Sequence, residues 1–466
     1  MIIQTTNAWL GAGLALAVLT SCASLPDSRR DRAVPHAQQV EFEGAGGPVS
    51  AIMSDAILQR LEGSHGSSDV LWKHLAYEQS VNAGSPMVLG NKLTLLQNGP
   101  DTYRAMFVAI EGARDHINLE TFIFDDDEAG QAFSDLLLQR QAAGVQVNII
   151  YDSIGGVLNR PGFIKRLRDG GIHVLEFNPI NPLVGNRADW LLNNRDHRKQ
   201  LLIDGRIAFT GGINISDTYS SAPGKRARRT RENDNPTVGW RDTHIRMEGP
   251  VVAEFQKLFL DTWARQKGEP LAERNYFPAL KAQGAEIVRA IGSSPDDPHS
   301  LIYLTLLSAI GHAEHEVHLT IAYFAPDPQL LDALTEAARR GVDVRLVLPS
   351  NSDSGPVFHL GRSYYSTLLQ AGVHIHERRG AIMHAKSACI DGVWCTIGST
   401  NLDWRSFLHN DEINAVIIGR DFAAQMAAMF AADLAQSEAI TRERWRKRGV
   451  LIRLKEWVAR LGAYWL

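Results

Sequence analysis

Two histidines in this chain each stand two residues before a lysine and seven before an aspartate. HRKQLLID carries His197, Lys199 and Asp204, and HAKSACID carries His384, Lys386 and Asp391. The agreement continues downstream, where GGIN (Gly211, Gly212, Asn214) and GSTN (Gly398, Ser399, Asn401) begin at the same offset from their histidines. A single histidine is more often structural than chemical. A duplicated one, with matching Lys and Asn, is a constellation that local propensity does not require. It points to one composite site built from two halves, in which two imidazoles share a reaction that neither performs alone.

The lysines narrow the chemistry. Histidine can be nucleophile, acid, base or metal ligand. An ammonium two residues away on the same strand face repels a bound cation and attracts an anion, so phosphate suits the site better than zinc. Small residues such as Gly212 and Ser399 let a phosphate approach closely, and Asn214 and Asn401 can donate hydrogen bonds to its oxygens. Along a strand, His197, Lys199, Leu201 and Ile203 share one face, whereas Asp204 falls on the other parity beside Gly205 in a turn. Asp204 and Asp391 are therefore expected to be turn and scaffold residues.

Positioning two such motifs requires two similar lobes. INLETFIF (residues 117–124) precedes a helical stretch ending near Gln141, then VQVNIIYD, another helix and GIHVLEFNP from Gly171. The second half repeats this order with VHLTIAYF (residues 317–324), LLDALTEAARR, VDVRLVLP and GVHIHER from Gly372. Strands alternating with helices of this length argue for parallel βαβ units covered by helices on both faces. Each motif then forms a hairpin across an Asp-Gly turn. The histidines lie 384 − 197 = 187 residues apart, a spacing of whole domains.

These residues resemble the phospholipase D superfamily, whose signature is two copies of this motif. ETFIFDDDEAG, GVQVNIIYDSIG, WRDTHIRMEGPVV and HAKSACIDGVWCTIGSTNLDWRSF are similar to its bacterial cardiolipin synthase branch. The resemblance implies a fold of two α/β lobes related by a pseudo-twofold, each a mixed, largely parallel sheet flanked by helices, with the active site between them. It implies a membrane-associated phosphatidyltransferase, in which one histidine forms a phosphohistidine and the other protonates the leaving alkoxide and then deprotonates the acceptor. No cofactor and no metal are needed. His197 is assigned as nucleophile and His384 as acid and base, with Lys199, Lys386, Asn214 and Asn401 on the phosphate oxygens. Asp242 in WRDTH and Glu412 in HNDEIN sit where the family places orienting carboxylates, and Asp242 is assigned to His197 and Glu412 to His384. The implied substrate is a phospholipid, phosphatidylglycerol first, with water in place of an alcohol acceptor giving the alternative of a hydrolytic phospholipase D.

Composition supports a lipid partner over nucleic acid. The 466 residues carry a formal charge of −4, so no overall cationic field attracts a polyanion. The apolar run from Ala8 to Leu19, followed by Leu19-Thr20-Ser21-Cys22, resembles a lipoprotein signal (residues 1–22), which implies export to the bacterial cell envelope and lipid anchoring at Cys22. A tether and N-terminal segment (residues 23–88), flexible to about Ser50, would precede lobes at residues 89–285 and 286–441. Lys225, Arg226, Arg228, Arg229 and Arg231 form a basic loop, readable as a solvated surface or as attraction to anionic headgroups. Leu183, Val184, Trp190, Leu191 and Leu192 read as ordinary core or as a path for acyl chains. Residues 442–466 read as a basic amphipathic helix, lying on a membrane surface or docked on the protein's own core. Of three cysteines, Cys389 and Cys395 are expected to be small apolar core residues rather than redox partners.

Overall fold

The computed structural model describes residues 25–26, 40–62, 68–82, 84–157, 159–180, 193–225, 238–297 and 300–463. Cys22, the apolar segment 183–192, Arg226 to Arg231 of the basic loop and Trp465 lie outside the described residues. A short hairpin at residues 43–48 leads into α1 (Ala51–Glu62) and α2 (Ser68–Val81). The first lobe then runs β1 (Val88–Gln97), α3 (Asn98–Glu111), β2 (His116–Thr121), α4 (Glu128–Ala142), β3 (Gln146–Asp152), α5 (Pro161–Asp169), β4 (His173–Phe177), β5 (Lys199–Ile203), β6 (Ile207–Gly211), β7 (Thr243–Glu248) and α6 (Val252–Arg265). The second repeats it as β8 (Glu286–Ser293), α7 (Leu301–His312), β9 (Glu316–Ile321), α8 (Pro328–Arg339), β10 (Asp343–Pro349), α9 (Gly355–Ser363), α10 (Tyr365–Ala371), β11 (His374–Arg378), β12 (Lys386–Ile390), β13 (Trp394–Gly398), α11 (Trp404–Leu408), β14 (Asn410–Ile418) and α12 (Arg420–Ala435). Strand β15 (Ser437–Ile440) and helices α13 (Arg442–Arg446) and α14 (Val450–Leu461) follow.

The two lobes share one hydrogen-bonded ladder. In the first lobe the order is β4, β3, β2, β5, β6, β7, β1, and in the second β8, β14, β13, β12, β9, β10, β11, β15. Strands β1 and β8 pair antiparallel at the centre, Val88 opposite Val288. The sheet is mixed, as expected, but within the two lobe ladders parallel pairing is confined to β2–β3–β4 and β9–β10–β11. The motif hairpins and the strands after them pair antiparallel, so the sheet is less parallel than the βαβ pattern suggests. One apolar core fills each lobe. A third spans both, with Ile245 and Met247 from β7, Ile413 and Ile417 from β14, and Phe255, Phe259, Phe422 and Met426 from α6 and α12.

Three local expectations change. Residues 40–50 belong to the fold rather than to a flexible tether, because Val40 and Phe42 are buried in the second lobe's core and Glu43 N donates to the Met87 carbonyl at 2.9 Å. Cys389 and Cys395 face one another directly across β12 and β13 and are joined as a disulfide, so they are bonded partners as well as core residues. The C-terminal segment forms two helices rather than one, with Gly449 standing just ahead of α14.

The motif aspartates occupy the hairpin turns. Asp204 and Asp391 have φ of 52° and 51°. Each carboxylate receives three backbone N–H groups from the residues that start the neighbouring strand: Arg114, Asp115 and His116 at 2.8–3.0 Å, and Glu314, His315 and Glu316 at 2.8–2.9 Å. Asp391→Ala removes the acceptor of all three charge-assisted hydrogen bonds and should lower unfolding stability by about 2–4 kcal/mol. Denaturant unfolding measures the loss, and turnover of the remaining folded protein should change by no more than a few-fold.

Candidate active site between the lobes

Each histidine stands just before a motif strand and is held there by the opposite lobe. Arg195 and Asp196 run parallel to Asn410 and Asp411, and the His197 N–H donates to the Asp411 carbonyl at 2.9 Å. Met383 bridges Arg241, and the His384 N–H donates to the Arg241 carbonyl at 2.7 Å. Asp411 and Arg241 immediately precede Glu412 and Asp242. The backbone therefore delivers each carboxylate to the other lobe's histidine.

This exchanges the pairing expected from sequence. Glu412 accepts from His197 Nδ1, with both carboxylate oxygens at 3.0 Å, and Asp242 Oδ2 lies 2.7 Å from His384 Nδ1. Within its own lobe, Asp242 precedes β7, which is separated from the His197 strand β5 by β6. Two strand spacings of about 4.8 Å put that histidine out of reach. The carboxylates are themselves anchored. Thr243 N donates to Asp242 at 2.7 Å, and Ser399 Oγ and Asn410 Nδ2 donate to Glu412.

The other sites expected from sequence fall into place around this pair of dyads. The Lys199 and Lys386 ammonium groups donate to the carbonyls of His197 and His384, and Lys386 Nζ also lies 2.9 Å from His384 Nε2. A Cβ on Gly212 would stand 2.2 Å from Asp242 Oδ1, so glycine is required for this close approach. Asn214 is buried and committed, accepting from Ile123 N at 3.2 Å and donating to Tyr219 OH at 3.3 Å. The side-chain oxygen of buried Asn401 has no hydrogen-bond partner among the described residues.

Several neighbours escaped the sequence reading. Tyr219 OH lies 3.1 Å from His384 Nδ1, and the rings of Trp240 and Tyr323 lie 5.1 and 6.1 Å from that imidazole. Phe122 packs edge-on against His197 at 5.2 Å. Beneath them, buried Arg198 donates to the Glu412 carbonyl at 3.1 Å, while Arg241 grips Asp433 through two bonds of 2.9 and 2.8 Å. The arginines did carry a signal: each lies inside a motif on a strand approach where an unpaired charge could not be buried.

Burial sets the protonation states. It pulls His197 down to about 4, with Glu412 opposing and Lys199 adding to the drop. Burial and then Lys386 lower His384 as well. Burial would raise Glu412, but His197, Lys199 and Ser399 outweigh it and hold the carboxyl at about 2. Asp242 is lowered in the same way, its burial outweighed chiefly by His384. Burial brings Lys199 to about 7 and Lys386 to about 8. At neutral pH the site holds two neutral imidazoles, each donating Nδ1–H to a carboxylate, which leaves Nε2 as a base or nucleophile.

Known proteins share this arrangement of sequence. A family model described as cardiolipin synthase, PLD-like domain, matches residues 106–234 and again 306–434. A cardiolipin synthase of Geobacillus sp. (strain WCH70) is 35% identical over 380 residues, which cover 81% of this chain and 73% of that protein. Cardiolipin synthase 2 of Bacillus anthracis is 34% identical, covering 78% of this chain and 69% of its own length. A crystal structure of phosphatidylserine synthase from Haemophilus influenzae Rd KW20 has the same fold, with a TM-score of 0.60 at 12% identity over 79% of this chain and 91% of that one.

The exchanged pairing has a spectroscopic consequence. In 15N-histidine spectra, Asp242→Asn should shift the imidazole signals and titration of His384 and leave those of His197 in place, and Glu412→Gln should do the reverse. A response of His197 to Asp242→Asn would restore the within-lobe pairing.

Proposed function

The chain belongs to the cardiolipin synthase branch of the phospholipase D superfamily, and on that premise we propose that it condenses two phosphatidylglycerol molecules into cardiolipin and glycerol. The observation that carries the reading is the pair of imidazoles, each held by a carboxylate from the opposite lobe, beside two buried lysines. A phosphodiester drawn from a membrane surface supplies the anion that the lysines attract. His197 Nε2 attacks phosphorus, and the phosphorus–oxygen bond to glycerol breaks as His384, charged in the substrate complex, gives its proton to the leaving oxygen. Neutral His384 then takes the proton of a second phosphatidylglycerol hydroxyl, whose oxygen displaces His197 from phosphorus. The covalent intermediate divides one displacement into two.

Roles follow from the surroundings of each group. Glu412 holds the His197 tautomer and stabilises the charge that develops on phosphorylation, and Asp242 does this for His384. Lys199 and Lys386 offset charge on the equatorial oxygens, with the Asn401 amide N–H group assigned to donate to the same oxygens and Asn214 acting through Tyr219. His197 is the preferred nucleophile because Glu412 faces its Nδ1 with both oxygens, whereas the Nε2 of His384 is already beside Lys386.

Purified protein given phosphatidylglycerol alone should yield cardiolipin and glycerol by lipid mass analysis. His197→Ala should lose more than about a thousandfold in turnover. Phosphatidic acid as the dominant product would replace the transfer reading with hydrolysis.

The pH profile tests the charge states. The attacking imidazole must be neutral and the lysines charged. Activity at limiting substrate should therefore rise with pH through about 4, as His197 loses its proton, and fall through about 7–8, as Lys199 and Lys386 lose theirs. Lys199→Arg should move the alkaline limb upward in whatever activity it retains, and an unmoved limb would remove the lysines from that role.

A further inference from the structure

Helix α14 carries its apolar residues on the side turned away from the protein. At about 100° per residue, Val450, Leu451, Leu454, Trp457, Val458 and Leu461 fall within one arc of about 120°. They are 81, 75, 53, 59, 53 and 71% exposed. The opposite side makes the contacts with the fold. Buried Glu456 receives Arg448 Nε at 3.0 Å, and Arg460 donates to the Ser363 hydroxyl and carbonyl on α9 at 2.9 and 3.0 Å. The helix is thus docked through its polar side. Arg453 and Lys455 border the apolar arc on its two edges, and the segment from Arg442 to Arg460 holds eight basic and two acidic side chains, a net of +6 in a chain of −4.

We propose that α14 is an in-plane helix that seats this protein on an anionic phospholipid bilayer, its apolar arc entering the acyl boundary and its basic border meeting the headgroups. Charge decides against the other occupant of such a face. A second copy paired through the same surface would bring one +6 segment against another, whereas an anionic lipid surface complements it. The helix also lies close to the chemistry. It packs along α9, which begins two residues after Asp353; the Asp353 carboxylate accepts from Tyr323 OH at 2.7 Å, and the Tyr323 ring stands beside His384. The bilayer contact is therefore one helix removed from the aromatic wall of the site. This deepens the function proposed above by naming the surface from which the lipid is drawn, and it rests on that reading only for the activity readout.

The test uses full-length protein carrying Leu451→Glu, Leu454→Glu and Val458→Glu together, three exposed positions whose substitution should leave the thermal unfolding midpoint unchanged. Flotation with vesicles of phosphatidylcholine, with and without phosphatidylglycerol, measures binding in a His197→Ala background, so that turnover does not enter. Binding to phosphatidylglycerol-containing vesicles should fall more than about tenfold, and with His197 intact the variant should keep its rate on a short-chain, monomeric phosphatidylglycerol. Unchanged vesicle binding overturns the proposal. So does a shift from dimer to monomer in sedimentation without loss of vesicle binding, which would assign the face to a second copy. If vesicles bind but neither substrate yields cardiolipin, the function proposed above fails and this surface stands.

Discussion

The exchange of carboxylates between lobes is the constraint on which the rest of the structure depends. An anionic carboxylate at zero exposure is tolerable only when its partners are in place. The partners of Asp242 and Glu412 are His384 and His197 of the opposite lobe, with the lysines close by. Neither lobe can complete its own catalytic pair, because the intervening hairpin strand keeps histidine and carboxylate apart. The pairing of β1 with β8, the short parallel contact of Arg195–Asp196 with Asn410–Asp411 and the Arg241 bridge to Met383 register the lobes closely enough for the exchange. The buried frame of Arg198, Arg241 and Asp433 then makes that register costly to shift, since any slip strands a charge in the interior.

Within this near-symmetry the two halves differ where chemistry would require it. The shorter Asp242 lies so near the backbone that position 212 must be glycine. The longer Glu412 leaves room at position 399 for a serine, whose hydroxyl it accepts. Tyr219 lies five residues after Asn214 and touches His384, whereas the residue five after Asn401 is Ser406, which accepts from Asn401 N instead. His384 is ringed by Tyr219, Trp240 and Tyr323, and His197 by Phe122. A duplicated motif could serve two identical roles; these surroundings instead give one imidazole a bidentate carboxylate and the other an aromatic, ammonium-bordered setting, which suits the separate nucleophilic and acid–base duties proposed for them.

Much of this was legible in the chain. Apolar runs and Gly punctuation located β2 to β6 and β9 to β13 but not β1, β7, β8, β14 or β15, and alternation along HRKQLLID correctly moved Asp204 and Asp391 into turns. The carboxylate partners were not legible, because their pairing depends on how two lobes associate and local pattern carries no record of that. Tyr219, Trp240 and Tyr323 reach His384 from loops and strand ends that have no periodicity to mark them. Two other misreadings had a usable signal. Cys389 and Cys395 each lie three residues from Gly392, and a hairpin with a three-residue turn at 391–393 places them opposite one another. Val40 and Phe42 alternate as a strand does, in a stretch whose Gly and Pro content spoke for a tether.

The lysines join these features into one electrostatic argument. With both imidazoles neutral, the two carboxylates balance the two ammonium groups only while the latter keep their protons, and burial has brought Lys199 to about 7 and Lys386 to about 8. A phosphodiester entering between the lobes would add the negative charge that raises the lysines and His384, while His197, held lowest by its burial, stays neutral. In the proposed reaction, substrate would thus create the protonation that the first step of its own transfer requires, since His384 must hold a proton to release the alkoxide. A metal-like fixed charge would lack this property. The repeated His-x-Lys pairing places the adjustable charge beside each imidazole, and the exchanged carboxylates keep those imidazoles oriented while the charge changes.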